Sequence, residues 1–136
     1  MTSLEIVKNA QRLLHIIGAI DRVERSLDGV SRDEFYVNED KQGNVVRCIE
    51  IIGEAANHVS GEIQKANPDV PWPSIIGMRN NLIHGYNEVD YSFVWMTAKH
   101  DLPALKIQAK RIFDSLELPK DFDFQTSMKG NSLTTD

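Results

Sequence analysis

Val45, Ile49, Ile52, Ala56, Val59 and Ile63 recur at steps of four, three, four, three and four residues. That spacing lines one face of an α-helix and no face of a β-strand, whose side chains alternate with a period of two. A seam of about five helical turns cannot stay in water, so the chain must supply other helices to cover it. The periodicity predicts a helix over Asn44–Ala66. Gly53 and Ala56 within it are small enough to let a neighbouring helix come close. Cys48 falls in the same apolar segment and reads as a buried structural thiol.

The covering helices are visible on both sides. Ile6, Ala10, Leu13, Ile17, Ile20 and Leu27 predict a helix over Ser3–Leu27, with Ser3 as N-cap, Asp28-Gly29 as the stop, and Glu24 the one polar intruder on the apolar side. Residues 30–43 are polar and charged, and read as a loop with one helical turn. Asn67-Pro68-Asp69 and Pro71-Trp72-Pro73 form a stiff connection, and Pro73 fits the first turn of a third helix, Pro73–His84. A fourth helix starts near Asp90, a good N-cap. Its apolar face is Val94, Ala98, Leu102, Leu105, Ala109, Ile112 and Leu116. Pro103 interrupts it, either by a kink or by a short break near His100–Leu102 with Asp101 capping the restart. No strand and no internal repeat is predicted. Residues 119–136 lack periodicity and read as a flexible tail after a domain of residues 1–118, with Phe122 and Phe124 its aromatic groups. Four amphipathic helices on short connections imply an all-α bundle.

Composition narrows the function classes. With 136 residues the chain has room for one domain with a real core. A net charge of −5 argues against a surface coated for unspecific nucleic-acid binding, while leaving room for a local basic pocket. One cysteine excludes an intrachain disulfide and suits a reducing cytosol. No apolar run approaches the ~18 residues of a membrane span, and the N-terminus has no signal-peptide pattern. A cytoplasmic protein with no membrane partner is expected.

The groups able to do chemistry are concentrated in Arg79-Asn-Asn-Leu-Ile-His-Gly-Tyr86. Arg79 offers a planar fork of donors to a phosphate. His84 titrates near neutral pH and can take or give a proton. Asn80, four residues before His84, would share its helix face and orient the ring. Tyr86 returns to the Arg79 stripe two turns on, together with Ile75 and Leu82. Gly85 suits a helix C-terminus. The cluster is therefore expected at a helix end, because on an unbroken helix Arg79 and His84 would diverge by roughly 140°.

These residue types match one reaction. An RNA phosphodiester can be cleaved by its own 2′-hydroxyl without a metal, given a proton carrier and a cation on the phosphoryl oxygens. Arg79 and His84 are the right groups, and Tyr86 can donate a hydrogen bond to phosphate or carry a second proton. The competing structural reading is that Arg79 and Asn80 cap carbonyls or pair with a carboxylate, Glu50 or Glu54. His15, His58, His84 and His100 form no metal-ligand pattern, so no metal and no cofactor is expected.

The run Arg79–Tyr86 matches the Arg-x4-His-x-Tyr motif, and its flanks carry Arg47-Cys-Ile-Glu-Ile-Ile-Gly-Glu-Ala-Ala56, Val70-Pro-Trp-Pro-Ser-Ile-Ile-Gly-Met-Arg79, Val89-Asp90 and Asp101-Leu-Pro-Ala-Leu105. In these blocks the chain resembles the HepT-like toxins, a branch of the HEPN superfamily of helical ribonucleases, over residues 4–117. The resemblance implies a four-to-five-helix up-and-down bundle and a homodimer with the motif near its cleft. It implies a metal-independent endoribonuclease acting on cellular RNA, with no DNA substrate, in a toxin–antitoxin pair. Arg79 and His84 become catalytic, with Asn80 supporting them. The implied partner is an MNT-type nucleotidyltransferase antitoxin, which silences the toxin by transferring AMP onto the motif tyrosine, here Tyr86. The alternative reading is a non-catalytic helical subunit that presents substrate or nucleotide to a nucleotidyltransferase.

Overall fold

Thr2, rather than Ser3, caps the first helix. Its hydroxyl accepts the Glu5 N–H at 3.1 Å, and the Glu5 carboxylate accepts the Thr2 N–H at 3.3 Å. This reciprocal box needs a carboxylate three residues past the cap, and only Thr2 has one. The computed structural model describes residues 1–84, 88–123 and 126, with His84 described in its backbone alone. Helix α1 spans Ser3–Leu27 and stops at Asp28, with Gly29 at φ +70°.

The stretch expected to be a loop with one helical turn carries helix α2, Arg32–Val37, and also the start of α3, Glu39–Asn57. Its charges gave it the look of a loop. Asp33 and Glu34, then Glu39 and Asp40, occupy first turns, where carboxylates oppose the positive end of the helix. Ser31 and Asn38 are the caps, each accepting a backbone N–H. Phe35 is fully buried and anchors α2, and Gln42 Nε2 donates to its carbonyl at 3.0 Å.

The expected helix over 44–66 is two. Helix α3 ends at Asn57, and Ser60 caps α4, Gly61–Ala66. Buried Asn9 holds the break: its Nδ2 donates to Glu5 O, and its Oδ1 accepts the Ser60 N–H, both at 2.8 Å. All six seam residues nonetheless stay buried. The predicted third helix also divides, into α5, Trp72–Ile76, and α6, Met78–Leu82, with Gly77 between them. The chain then leaves helical geometry. Ile83–His84 (β1) pairs antiparallel with Glu88–Val89 (β2), in register Ile83↔Val89 and His84↔Glu88. This two-residue ladder was not anticipated, because four residues cannot display a period.

Asp90 caps α7, Tyr91–Met96, as expected. Pro103 does not break the last helix, and the irregularity expected near His100–Leu102 is a π turn just before it. Residues Thr97–Asp101 form a π turn, in which the Leu102 N–H reaches back to Thr97 O, and α8 continues over Leu102–Ser115 with Pro103 in its first turn. Asp101 makes no capping bond. The seam Val94, Ala98, Leu102 steps by four twice, which on a regular helix drifts by about 40° each time. The wider turn absorbs the extra residue, so Leu102, Leu105, Ala109 and Ile112 still face the core. Phe122 packs edge-on against Phe113, and Phe124 lies outside the described residues.

The architecture is an all-α bundle in which α1 packs on α3 and α8, and α3 packs on α5 and α6. Cys48 is buried within it. Among the described residues no helix is long and apolar enough to cross a membrane. Glu24 is explained by Lys106 on α8, whose Nζ lies 2.6 Å from both Glu24 and Asp21. These two hydrogen-bonded carboxylates raise the Lys106 pKa above its usual value. Arg111 pairs with Asp69 at 2.8 Å and ties α8 to the connection before α5.

A Cβ on Gly53 would sit 3.3 Å from Ile75 O, whereas one on Gly43 would meet nothing within 4 Å. Gly53→Val should lose about 1–3 kcal/mol in urea unfolding through overpacking. Gly43→Ala, on the same helix, should gain about 0.5–1 kcal/mol. Because the folded Lys106 pKa is raised, its contribution is fully present below about 10.5 and is lost as pH rises through the folded value. Lys106→Met should therefore cost about 1 kcal/mol at pH 7. The gap from the unsubstituted protein should shrink in unfolding curves taken above pH 10.5.

Candidate active site

Helix α3 presents a second stripe, away from its seam. Arg47, Glu50, Glu54 and Asn57 succeed one another at steps of three, four and three, all at least partly exposed. Facing them are Arg79 and Asn80 from α6, with Gly53 and Ile76 among the groups between. Together they line an open groove of about 430 Å³. Two glycines build it. Gly53 lets the carbonyls of Ile75 and Ile76 lie against the α3 backbone. Gly77 then breaks the helix where a Cβ would press to 3.1 Å from Pro73 O. The break turns Arg79 outward, while Ile75, Met78 and Leu82 remain in the core. The expectation that Arg79 shares the packing stripe of Ile75 and Leu82 fails for that reason.

Arg79 Nε lies 3.6 Å from Glu50 Oε2. The carboxylate partner named from sequence is therefore present. The contact is long, and the Arg79 side chain is 70% exposed, so it is a weak surface pair. It approaches Nε and leaves the geometry of the guanidinium fork open for a phosphate. Asn80 lies beside Arg79 at the groove.

Asn80 and His84 do not share a helix face. Helix α6 ends at Leu82, and Ile83 takes an extended conformation at φ −99° and ψ 128°. A five-residue helix followed by a β-branched residue has little to propagate it. The Asp90 N–H also takes Leu82 O at 2.7 Å, which favours the β1–β2 ladder over another helical turn. The helix therefore ends three residues before Gly85. The structure brings Arg79 and Asn80 to one groove and leads the His84 backbone away from α6 in an extended strand. The His84 side chain, Gly85, Tyr86 and Asn87 lie outside the described residues.

Sequence reasoning assigned no role to Arg47 or Asn57. Their signal was the outer stripe of α3, which the stronger apolar seam concealed. A second cavity, of about 460 Å³, lies between α5, the π turn and α8, lined by apolar residues such as Ile75, Phe93 and Leu105 together with Asn81, His100 and Asp101. It is the more apolar of the two, so the groove with two arginines is the better place for phosphate chemistry. Among the described residues no three His, Cys, Asp or Glu side chains form a metal-binding group.

A helical bundle with Arg-x4-His-x-Tyr beginning on a short helix beside such a groove belongs to the HEPN class of helical proteins. Within that class, the chain belongs to the HepT-like ribonuclease family: the "Ribonuclease HepT-like" family model matches residues 16–112, motif included. A Methanocaldococcus jannaschii protein named "Putative RNase" is 35% identical over 105 residues, covering 77% of this chain and 90% of that protein. A Thermococcus cleftensis protein named "Probable ribonuclease HepT" is 35% identical over 91 residues, covering 67% of this chain and 83% of its own length. A Caldanaerobacter subterraneus protein, also named "Putative RNase", is 35% identical over 100 residues, covering 74% and 89%. No solved structure matches the chain.

The geometry separates a structural Arg79 from a chemical one. Glu50→Gln should lower stability by no more than about 1 kcal/mol, since it breaks an exposed pair. A loss of several kcal/mol in chemical denaturation would mark Arg79–Glu50 as a structural clamp.

Proposed function

We propose that the protein is a metal-independent endoribonuclease, the cytoplasmic toxin of a HepT/MNT toxin–antitoxin pair. The observation that carries this reading is Arg79, turned into an open groove by the Gly77 break and held there by only a weak pair, in a chain of a ribonuclease family. In the proposed reaction the 2′-hydroxyl oxygen attacks the adjacent phosphorus and the bond to the 5′-oxygen breaks, leaving a 2′,3′-cyclic phosphate. His84 moves the proton that leaves the nucleophile or arrives on the leaving oxygen. Arg79 stabilises the charge gathering on the phosphoryl oxygens, and Asn80 supports it.

Regulation falls to Tyr86. The MNT-type partner would catalyse attack of the phenol oxygen on the α-phosphorus of ATP, releasing pyrophosphate and the phenolic proton. The added phosphodiester carries about one negative charge and would compete for Arg79 with the RNA phosphate. The homodimer in this reading rests on the family resemblance. The α3 seam does not argue for it, since its residues are buried within one chain.

His84→Ala and Arg79→Ala should each reduce RNA cleavage at least 100-fold, with circular dichroism unchanged and wild-type activity insensitive to EDTA. A folded His84→Ala variant with full activity would refute the assignment. An unsubstituted protein that binds RNA without cutting it would favour the non-catalytic subunit. Incubation with the partner, ATP and Mg²⁺ should add AMP in whole steps by intact mass and remove cleavage. Tyr86→Phe should block the gain, and AMP mapped to Tyr36 or Tyr91 would refute the switch. Light scattering should give twice the 15.4 kDa chain mass.

A further inference from the structure

The groove holds one cation that the reaction does not use. Arg47 lies on the α3 stripe one turn before Glu50, and Glu50 meets Arg79. Glu50 has only this weak pair, whereas among the described residues Arg47 makes no ion pair and no hydrogen bond. Its neighbours cannot explain it as a structural group, since it is exposed at a groove edge rather than packed. From Arg47 to Asn57 the stripe runs ten residues, about 15 Å along the helix axis. The volume of about 430 Å³ is within the range of small-ligand sites.

We propose that this groove is a single-nucleotide subsite for RNA, in which Arg47 binds the phosphate next to the one held by Arg79. This rests on the ribonuclease reading above and deepens it. Arg47 and Arg79 line the same groove, and Glu50, which meets Arg79, lies one helical turn after Arg47 on α3, so a strand can lay successive phosphates across the two guanidinium groups. The nucleoside between them then points along the stripe toward Glu54 and Asn57, whose carboxylate and amide can meet a base edge. Arg47 is a binding group and takes no part in proton transfer. Its loss should be read in substrate affinity, while the chemical step survives.

The test compares the unsubstituted protein with Arg47→Ala, Arg47→Gln and Lys8→Ala, the last removing an exposed charge from α1. Steady-state cleavage of a short single-stranded RNA is measured across salt concentrations, together with binding of the same sequence carrying 2′-O-methyl groups, which cannot be cut. Both Arg47 variants should raise KM at least tenfold and keep kcat within about threefold. The slope of log affinity against log salt should fall by about 0.7, the value of one single-strand phosphate contact. Lys8→Ala should do neither. An unchanged KM, a fall in kcat alone, or an equal effect of Lys8→Ala overturns the subsite. If the unsubstituted protein binds the 2′-O-methyl strand through Arg47 yet cleaves no RNA, the subsite stands and the ribonuclease reading falls.

Discussion

The close approach of α3 to α5 at Gly53 is the contact on which the rest of the groove depends. The Ile75 and Ile76 carbonyls stand 3.3 and 3.4 Å from where a side chain would begin, so the two backbones meet with nothing between them. That proximity lets a five-residue helix, α6, reach the polar stripe of α3. Push α5 outward by one methyl and Arg79 would move away from Glu50 and Arg47 together. A glycine inside a 19-residue helix is costly in propensity. Here the cost is offset by a juxtaposition that no larger residue permits.

The helix breaks matter as much as the helices. The chain interrupts its regular pattern at residues 58–60, at Gly77 and at the π turn Thr97–Asp101. Each interruption keeps an apolar seam in register while changing what the other side of the element shows. At Gly77 the consequence is functional geometry: Met78 and Leu82 stay buried and Arg79 comes free. At the π turn the consequence is packing alone. An extra residue is absorbed, so Pro103 sits in a first turn instead of inside a helix.

This division explains what the sequence made legible. The residues of the α1 seam, from Ala10 to Leu27, and all of the α3 seam are buried as their periodicity required, because burial of a whole face is a repeated signal. The ends were less legible. Ser3 yielded the cap to Thr2 through one carboxylate, and the acidic run before α3 looked like loop because helix N-termini attract the same residues. The β1–β2 ladder was invisible, since two residues on each side carry no pattern. For the site, Arg79 and Asn80 were legible as a cluster, and Glu50 as a partner. Arg47 and Asn57 were not, because their outer stripe on α3 is weaker than the apolar seam and takes its meaning from what α6 places opposite it.

An acidic chain can still offer a phosphate site if its charges are sorted. Glu50 sits beside Arg79, and Asp21 and Glu24 are held by Lys106. These carboxylates are engaged or screened, while Arg47 faces the groove without a partner among the described residues. The field at the groove therefore depends on local pairing more than on the net charge of −5. The acidic remainder also has a use in this arrangement. It would repel nucleic acid from the rest of the surface, so under the proposed function a strand would gain most by binding at the groove that Arg47 and Arg79 line.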